Sequence, residues 1–283
     1  KTQKQAPDRD GPTGRIKLGT ESNGGFKNIT ISNCTFDHCR GLALETVDGA
    51  VIEDVTIDNI AMRDICNSPI YIRLGNRARG PKELPVSVVR RVKLSNIVVK
   101  DADSRYASII FGLNDHLIED VTLSNIHIQY RGGLTMDDVK WQRCANPFFT
   151  SRNKAVNHVK GKRERIEDKN EPATERDPYA VPQMEKGYPE PSSHGILPAY
   201  GLFISNAKNL KIDNVEFETI NEDKRPAIVL MNVEDIKFSD MKVDKSAEAP
   251  YFVLKSVKNF DVKDFHGIKD RNIAIADDME IKK

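Results

Sequence analysis

A short motif that recurs along the chain constrains the fold more than any other feature of the sequence. Each copy is a short apolar run that closes on a polar residue and then Asn or Asp. The copies are Ile31-Ser32-Asn33, Ile57-Asp58-Asn59, Leu94-Ser95-Asn96, Leu123-Ser124-Asn125, Ile212-Asp213-Asn214, Phe238-Ser239-Asp240 and Val262-Lys263-Asp264. Most steps are about 24 to 37 residues long. Such repeats indicate a solenoid, because one unit cannot cover its own apolar face and must stack on its neighbours.

The composition of the repeats favours strands over helices. They are rich in Val, Ile and Thr, alternate with a period of two, and are punctuated by Gly, Asn and Asp. The run from Phe26 to Asn33 predicts a half-buried strand, and a turn is predicted at Asp37 to Gly41. A second short strand is predicted to point Leu42 and Leu44 inward and Ala43 and Glu45 outward.

We therefore predict an all-β fold, a right-handed parallel β-helix, rather than a sandwich or a propeller. A sandwich would show hairpin signals, and the only Asn-Gly pair is Asn23-Gly24 in the opening turn. The repeated Asn suits a tight left-handed turn, and its side chains could stack from coil to coil as a hydrogen-bonded ladder. The alternative is that Asn is only a good turn residue. Neither interpretation makes these residues catalytic.

The repeats divide the chain into three parts. Residues 1–283 are predicted to form one β-helix domain that is incomplete at its N-terminus, with a long loop insertion at 131–200 and the final coils and a cap at 201–283. Within the insertion, the charged run over residues 160–177 is expected to be a mobile excursion. The part rich in Pro and aromatic residues, 188–200, is expected to be ordered and to wall a cleft.

The charge and cysteine content exclude several classes of function. A net charge of +1 from 43 basic and 42 acidic residues argues against a nucleic acid or an anionic membrane as partner. No apolar run approaches the roughly 20 residues that span a bilayer. The four cysteines lack CxxC spacing and the histidines lack HxxxH spacing, so no metal and no cofactor are expected. A disulfide between Cys34 and Cys39 is one possibility, and buried free thiols are favoured.

Three segments resemble the polygalacturonase family of glycoside hydrolases, family 28. The sequence GRIKLGTESNGGFKNITISNCTF, from Gly14, is similar to the family's Gly-His-Gly block, and residues 41–46 fall where the family has Gly-Leu-Arg-Ile-Lys-Thr. Residues 68–72 match the strand before the family's cleft tyrosine. The resemblance implies a right-handed β-helix that hydrolyses pectic poly- or oligosaccharides, galacturonan or rhamnogalacturonan, with inversion, as a secreted or periplasmic enzyme without a metal.

The departures from the family pattern lie in its substrate-binding positions. Arg15 stands where the family has His, while Ala43 and Glu45 replace the Arg and Lys that hold the galacturonate carboxylate. Asn76 or Arg77 lies where the cleft tyrosine would be. Because Glu45 would repel a carboxylate, we expect a divergent pectin or rhamnogalacturonan glycosidase. The candidate substrate-binding residues are Arg15, Glu21, Glu45, Arg73, Asn76 and Arg77.

No catalytic residue is assigned within this sequence. In the family, the catalytic aspartates sit in an Asn-Thr-Asp block and an Asp-Asp pair that precede the Gly-His-Gly block, and residues 1–13 contain neither motif. The expectation is that a missing N-terminal segment of the same protein supplies them, and that this chain alone is inactive.

Three other functions stay open. A non-catalytic carbohydrate-binding β-helix is the main alternative, because decay of a catalytic site would produce the same departures. A polysaccharide lyase ranks last, since no DxD-type cluster for Ca²⁺ is evident. A purely structural solenoid is less favoured because of the Gly-rich turn near Glu21 and the aromatic loop.

Overall fold

A computed structural model describes residues 14–80, 84–142 and 174–282 of the chain. Strands dominate it. Their bounds are β1 (Ile16–Leu18), β2 (Phe26–Cys39), β3 (Leu42–Thr46), β4 (Val51–Ile65), β5 (Ile70–Leu74), β6 (Val88–Ala102), β7 (Ser108–Phe111), β8 (Ile118–Gly132), β9 (Trp141–Gln142), β10 (Thr174–Glu175), β11 (Leu202–Asn221), β12 (Ile228–Val243), β13 (Phe252–Phe265) and β14 (Arg271–Ile281). Helix α1 (Met136–Lys140) and a 3-10 helix, Pro191–His194, lie in the insertion.

The strands stack in parallel, coil upon coil, which confirms the predicted parallel β-helix. The short strands β1, β3, β5 and β7 pair in that order and lead to the first part of β11. The long strands β2, β4, β6 and β8 pair in the same way and lead to the rest of β11. One position of the coil therefore repeats vertically, as in the column Lys17, Ala43, Tyr71, Ile109 and Phe203.

The long strands turn corners at left-handed residues, most of them Asn or Asp. Asn33, Asn59 and Asn96 have φ angles of 59°, 53° and 55°. Asn tolerates this region better than most residues, which is why it recurs at the same place in each coil. The second turn lies where it was predicted, within residues 37–41, because β2 bends at His38, with φ of 54°, and ends at Cys39.

The predicted Asn ladder is present, with one interruption. The Nδ2 atom of Asn59 donates to Oδ1 of Asn33 at 2.6 Å, and Asn214 donates to Asn125 at 3.0 Å. Asn125 donates to Asn96 at 3.1 Å. Between Asn59 and Asn96 the ladder is broken, because Asn96 donates to the neighbouring Asp58 instead.

The cysteines that the structure describes are free thiols. Cys34 is half-buried, Cys39 is buried and Cys66 is nearly so, and none of the three forms a disulfide. Burial raises the pKa of the Cys66 thiol to about 12, so it stays protonated near neutral pH. The alternative of a bond between Cys34 and Cys39 is therefore wrong. Cys144 lies outside the described residues.

A segment from the insertion crosses the outer face of the short-strand sheet. Residues 176–200, called the covering segment from here on, lay Tyr179, Val181, Leu197 and Ala199 against that face. The sheet residues beneath them are Ala43, Tyr71, Ala107, Ile109, Phe111, Phe203, Val229 and Val253. The part of the insertion predicted to be ordered is thus packed on the sheet, and residues 160–173 of the charged run lie outside the described residues. No helix in the described ranges is long and apolar enough to cross a membrane.

Candidate functional site

Glu45 is a buried carboxylate on β3, next to the edge strand β1 of the short-strand sheet. Its side chain points to the outer face, as alternation predicted, and none of its surface is accessible. The Nζ atom of Lys17 lies 2.6 Å from Oε2 of Glu45, and the Thr20 hydroxyl donates to the same oxygen at 3.2 Å. The Nη2 atom of Arg15 lies 3.5 Å from Oε1. The neighbouring strand β1 thus closes over the carboxylate with two cations.

Burial and these cations shift the pKa of Glu45 in opposite directions. Burial raises the pKa of the carboxyl above its ordinary value, and the charges of Arg15 and Lys17 oppose that rise without cancelling it. Oε1 accepts no hydrogen bond from any described residue. Glu45 therefore holds a proton more readily than an exposed glutamate.

A second buried carboxylate, Glu190, joins the covering segment to the same cations. Arg15 donates to Oε2 of Glu190 at 3.1 Å, and Asn67 donates to Oε1. The Nη1 atom of Arg40 lies 3.6 Å from Oε2. Arg15 therefore bridges Glu45 and Glu190, and the cluster ties the covering segment to β1.

Arg77 and Glu21 lie in a separate group on the adjacent turns. The Nε atom of Arg77 donates to Oδ1 of Asp48 at 3.1 Å, and the backbone N–H of Arg79 donates to the same atom at 2.9 Å. Burial alone would raise the pKa of Asp48, but these hydrogen bonds outweigh it and lower the pKa. Glu21 stays largely exposed, with Oε1 at 3.6 Å from Nη2 of Arg77. Arg77 is thus committed to a carboxylate of its own chain.

Arg73 and Asn76 hold the covering segment in place. Arg73 is 1% exposed, and its guanidinium donates to the backbone carbonyls of Phe111 at 3.1 Å and of Gln183. Asn76 donates its backbone N–H to the carbonyl of Glu185 at 2.8 Å and its side-chain amide to Oε1 of the same residue at 3.2 Å. Both residues were predicted to bind substrate, and in the structure both contact this segment.

His194 sits at the centre of the covered face. Its Nδ1 donates to the carbonyl of Pro182 at 2.8 Å, so its Nε2, 3.0 Å from the Tyr71 hydroxyl, is the acceptor. The imidazole packs on Phe111 with ring centres 4.7 Å apart. Burial, helped by the charge of Arg73, lowers the pKa of His194 to about 3. The imidazole is neutral at physiological pH and serves as a packing and hydrogen-bonding residue.

A comparison with protein families finds one match in the first part of the chain. Residues 17–151 match the family model described as glycosyl hydrolases family 28. This stretch is similar to family 28. The match begins at Lys17 on β1 and includes Glu45, Arg73 and Arg77. No curated protein and no solved structure matches the chain.

A match to family 28 indicates a glycoside hydrolase of the polygalacturonase type. Against that background, the structure sorts the six predicted site residues into three groups. Arg15 and Glu45 meet at the β1 edge, Glu21 and Arg77 meet on the adjacent turns, and Arg73 and Asn76 bind the covering segment. Sugar contacts of these residues stay a prediction.

Two residues of the β1 edge were missed by the sequence analysis. Lys17 is two positions from Arg15 on a strand, so alternation places both on one face, and this signal could have been used. Glu190 gave no such signal, because it is 175 residues from Arg15 and reaches it only through the return of the insertion.

Proposed function

We propose that the chain forms one wall and part of the floor of the cleft in a glycosidase that hydrolyses pectic polysaccharides or oligosaccharides with inversion. The observation that carries the proposal is the family 28 match over residues 17–151, on a parallel β-helix. Family members are typically extracellular. Since pectic polymers lie outside cells, we propose a secreted or periplasmic location for this protein as well.

The catalytic aspartates would lie on further coils that precede Gly14. Two features support this. Among the described residues β1 pairs only with β3, and β2 only with β4, so one edge of each strand carries unused backbone N–H and C=O groups. The interior side chains of β2, among them Phe26, Ile29 and Ile31, are only half-buried. Added parallel strands would use these groups and bury these side chains, and would bring new side chains next to Arg15 and Lys17.

In this proposal, catalysis follows the two-carboxylate scheme of inverting glycosidases. One carboxylic acid protonates the leaving oxygen and the other carboxylate activates a water on the opposite sugar face, at a separation of roughly 6.5 to 9.5 Å. The present chain would supply sugar contacts. We propose Glu21 for the accessible rim, with Arg77 directly beneath it. We propose Arg15, Glu45, Arg73 and Asn76 for positions that a sugar reaches only where the covering segment is displaced.

The cations around the candidate site already bind other groups of the chain, and this favours a neutral sugar beside Glu45. Arg15 and Lys17 bind carboxylates of the chain, Arg77 binds Asp48, and Arg73 is beneath the covering segment. None of these is free to replace the Arg-Lys pair that the family uses for a uronate. We therefore propose rhamnogalacturonan rather than homogalacturonan as the polymer, with rhamnose or galactose at this subsite.

One observation favours the alternative of a non-catalytic carbohydrate-binding β-helix. The outer face of the short-strand sheet, where the family pattern places substrate contacts, is covered by apolar side chains of the same chain, with His194 at its centre. An enzyme needs that face open at some stage, whereas a binding module could use the rim around Glu21 alone.

The test is hydrolysis by the full-length protein of homogalacturonan and rhamnogalacturonan oligosaccharides, with the anomer of the first product followed by NMR. Rhamnogalacturonan turnover with inversion is expected. A Glu21→Lys variant should change KM for that substrate, whereas Glu119→Lys, on the opposite outer wall, should not. Turnover of homogalacturonan alone would overturn the neutral subsite. Binding without turnover of either polymer would overturn the enzyme and favour the binding module.

A further inference from the structure

A cluster of metal-ligating side chains lies on the outer wall of the β-helix, away from the candidate site. His127 is on β8, and Glu216 and Glu218 are on β11. One ligand atom from each of the three lies within 4.8 Å of the other two. Neither the family resemblance nor the spacing of histidines in the sequence pointed to this group, because it forms only when β11 pairs with β8.

The strand register explains why the three side chains meet. His127 and Glu216 are direct partners in the parallel ladder between β8 and β11. Glu218 follows two residues later, so alternation places it on the same outer face as Glu216. All three side chains are half-buried. Two neighbouring strands thus present an imidazole and two carboxylates to one point on the wall.

The imidazole nitrogen of His127 that faces the carboxylates makes no hydrogen bond to any described residue. Nε2 of His127 lies 3.2 Å from Oε2 of Glu218, but the two groups are not aligned as donor and acceptor. The same Nε2 atom is shielded from solvent and has no hydrogen-bond partner among the described residues. A shielded polar atom without a partner is costly, and a metal ion at the centre of the cluster would use its lone pair.

The donor set selects the kind of metal. Imidazole with carboxylates suits Zn²⁺ and neighbouring divalent transition metals, whereas Ca²⁺ requires six to eight oxygen ligands. Zn–N and Zn–O bonds of about 2.0–2.2 Å place tetrahedral ligand atoms about 3.3 Å apart. The distance of 3.2 Å between Nε2 of His127 and Oε2 of Glu218 already fits that geometry. Rotation of the Glu216 side chain would bring one of its carboxylate oxygens to a similar distance from the other two ligand atoms.

Lys242 on β12 competes for one of the ligands. Its ammonium group donates to Oε1 of Glu216, and this hydrogen bond raises the pKa of the lysine. The other oxygen of Glu216 is left for a metal ion, but the positive charge of Lys242 opposes a second cation nearby. Removal of this lysine should therefore strengthen metal binding, which is the reverse of what removal of a ligand does.

We propose that His127, Glu216 and Glu218 bind a divalent transition metal, with Zn²⁺ the best match, and that the bound ion clamps β8 to β11. These strands stand on either side of the insertion, so the Asn ladder step between them joins residues 89 apart in sequence. In every other pair of stacked coils that the structure describes, the paired residues are closer to each other along the chain. A ligand that binds only the folded state stabilises it, and this proposal does not depend on the proposed function.

The first test is calorimetric titration of the full chain with ZnCl₂, for wild type and four variants. His127→Ala and Glu218→Gln should each weaken Zn²⁺ binding at this site tenfold or more, and Lys242→Ala should tighten it. Glu119→Gln is the matched control, because it removes a carboxylate on β8 that pairs across the same two strands with Lys208 on β11. This control should bind Zn²⁺ as wild type does.

Thermal unfolding gives the second test. Zn²⁺ should raise the Tm of wild type and Glu119→Gln, EDTA should reverse the rise, and both ligand variants should lose it while keeping wild-type circular dichroism in EDTA. Ca²⁺ should have no such effect. Equal Zn²⁺ affinity in wild type and both ligand variants would show that other groups bind the ion, and the proposal would be wrong. Absence of Zn²⁺ binding by wild type would overturn it as directly.

Discussion

The two ends of the β-helix differ in the direction of their last strands and in the burial of their interior side chains. At the N-terminal end, β2 is parallel to β4 and its interior side chains, such as Phe26 and Ile31, are half-buried. At the other end, β14 runs antiparallel to β13, and the interior of β13 is fully covered, as at Phe252 and Phe260. The first end keeps the direction and register in which a further coil could add, and the second reverses them.

The two ends show how a parallel stack is stopped or continued. An unpaired strand with apolar side chains invites another strand, so proteins protect such edges with charges or covering elements. The outer positions of β14 carry acidic groups, among them Asp277, Asp278 and Glu280, all exposed. Among the described residues, one edge of β2 has no partner strand, and it lies beside apolar side chains that water partly reaches. Half-burial at one end and full burial at the other should be measurable as differences in stability.

The largest expected effect comes from truncating a large side chain at each end. Phe260→Ala should destabilise the chain by about 3–5 kcal/mol, because it leaves a cavity in a fully buried position. Phe26→Ala should cost less than half as much, since water already reaches that side chain. Urea unfolding followed by circular dichroism measures both. Equal losses would mean that the N-terminal end is covered in solution.

A charge placed on the open edge should separate the two ends by what they bind. If further coils dock on β2, as the proposed function requires, Ile31→Lys should weaken docking of a separately produced N-terminal segment more than tenfold. Ile275→Lys, at an exposed position of β14, is the matched control and should leave docking unchanged. Co-elution and titration of the two pieces give the affinities. Docking that survives Ile31→Lys would move the interface away from β2.

The pH dependence of stability gives a further test at the N-terminal end, where the pKa values of two carboxylates shift in opposite directions. Burial raises the pKa of Glu45 above its ordinary 4.5, so its folded form binds protons more tightly, and its contribution to stability falls as the pH rises through that shifted pKa. Hydrogen bonds from Lys27 and Arg90 lower the pKa of Glu53 to about 2, so its contribution is present above pH 4.5 and is lost as the pH falls toward 2.

Unfolding free energies from pH 2 to 8 test these signs. Glu45→Gln should reduce the loss of stability on the alkaline side of pH 4.5. Glu53→Gln should reduce the loss on the acidic side. A change of the same sign in both variants would contradict the assignment of burial to one carboxyl and ion pairing to the other.

The smallest expected effect concerns the Asn ladder. Asn125 accepts one ladder hydrogen bond and donates another, whereas Asn33 takes part in one ladder hydrogen bond, which it accepts from Asn59. The amide of Asn33 donates to the neighbouring Ser32 at 3.4 Å, outside the ladder. Replacement by Gly keeps the left-handed corner and removes the side chain. Asn125→Gly should therefore cost about 1–2 kcal/mol and Asn33→Gly about 1 kcal/mol or less. Thermal unfolding of the two variants makes the comparison, and a larger loss for Asn33 would reverse the expected order.

Much of the fold could be predicted because its signals are local and repeated. The alternation in each unit set the strands, and Asn33 and its equivalents marked left-handed corners that few residues adopt. The direction of Glu45 also followed from alternation. Its burial did not, because exposure depends on what lies over the sheet. A covering segment that is far away along the chain adds no signal to the local alternation of apolar and polar residues.

The parallel β-helix and the segment similar to family 28 follow from the amino-acid sequence alone, since a solenoid repeats the same local interactions in every coil. Which side chains share a site depends on the tertiary structure. The return of the insertion brought Glu190 to Arg15 and His194 to Tyr71, and the pairing of β11 with β8 brought Glu216 to His127. Those partners are far apart along the chain, so their meeting depends on how the coils stack and where the insertion packs.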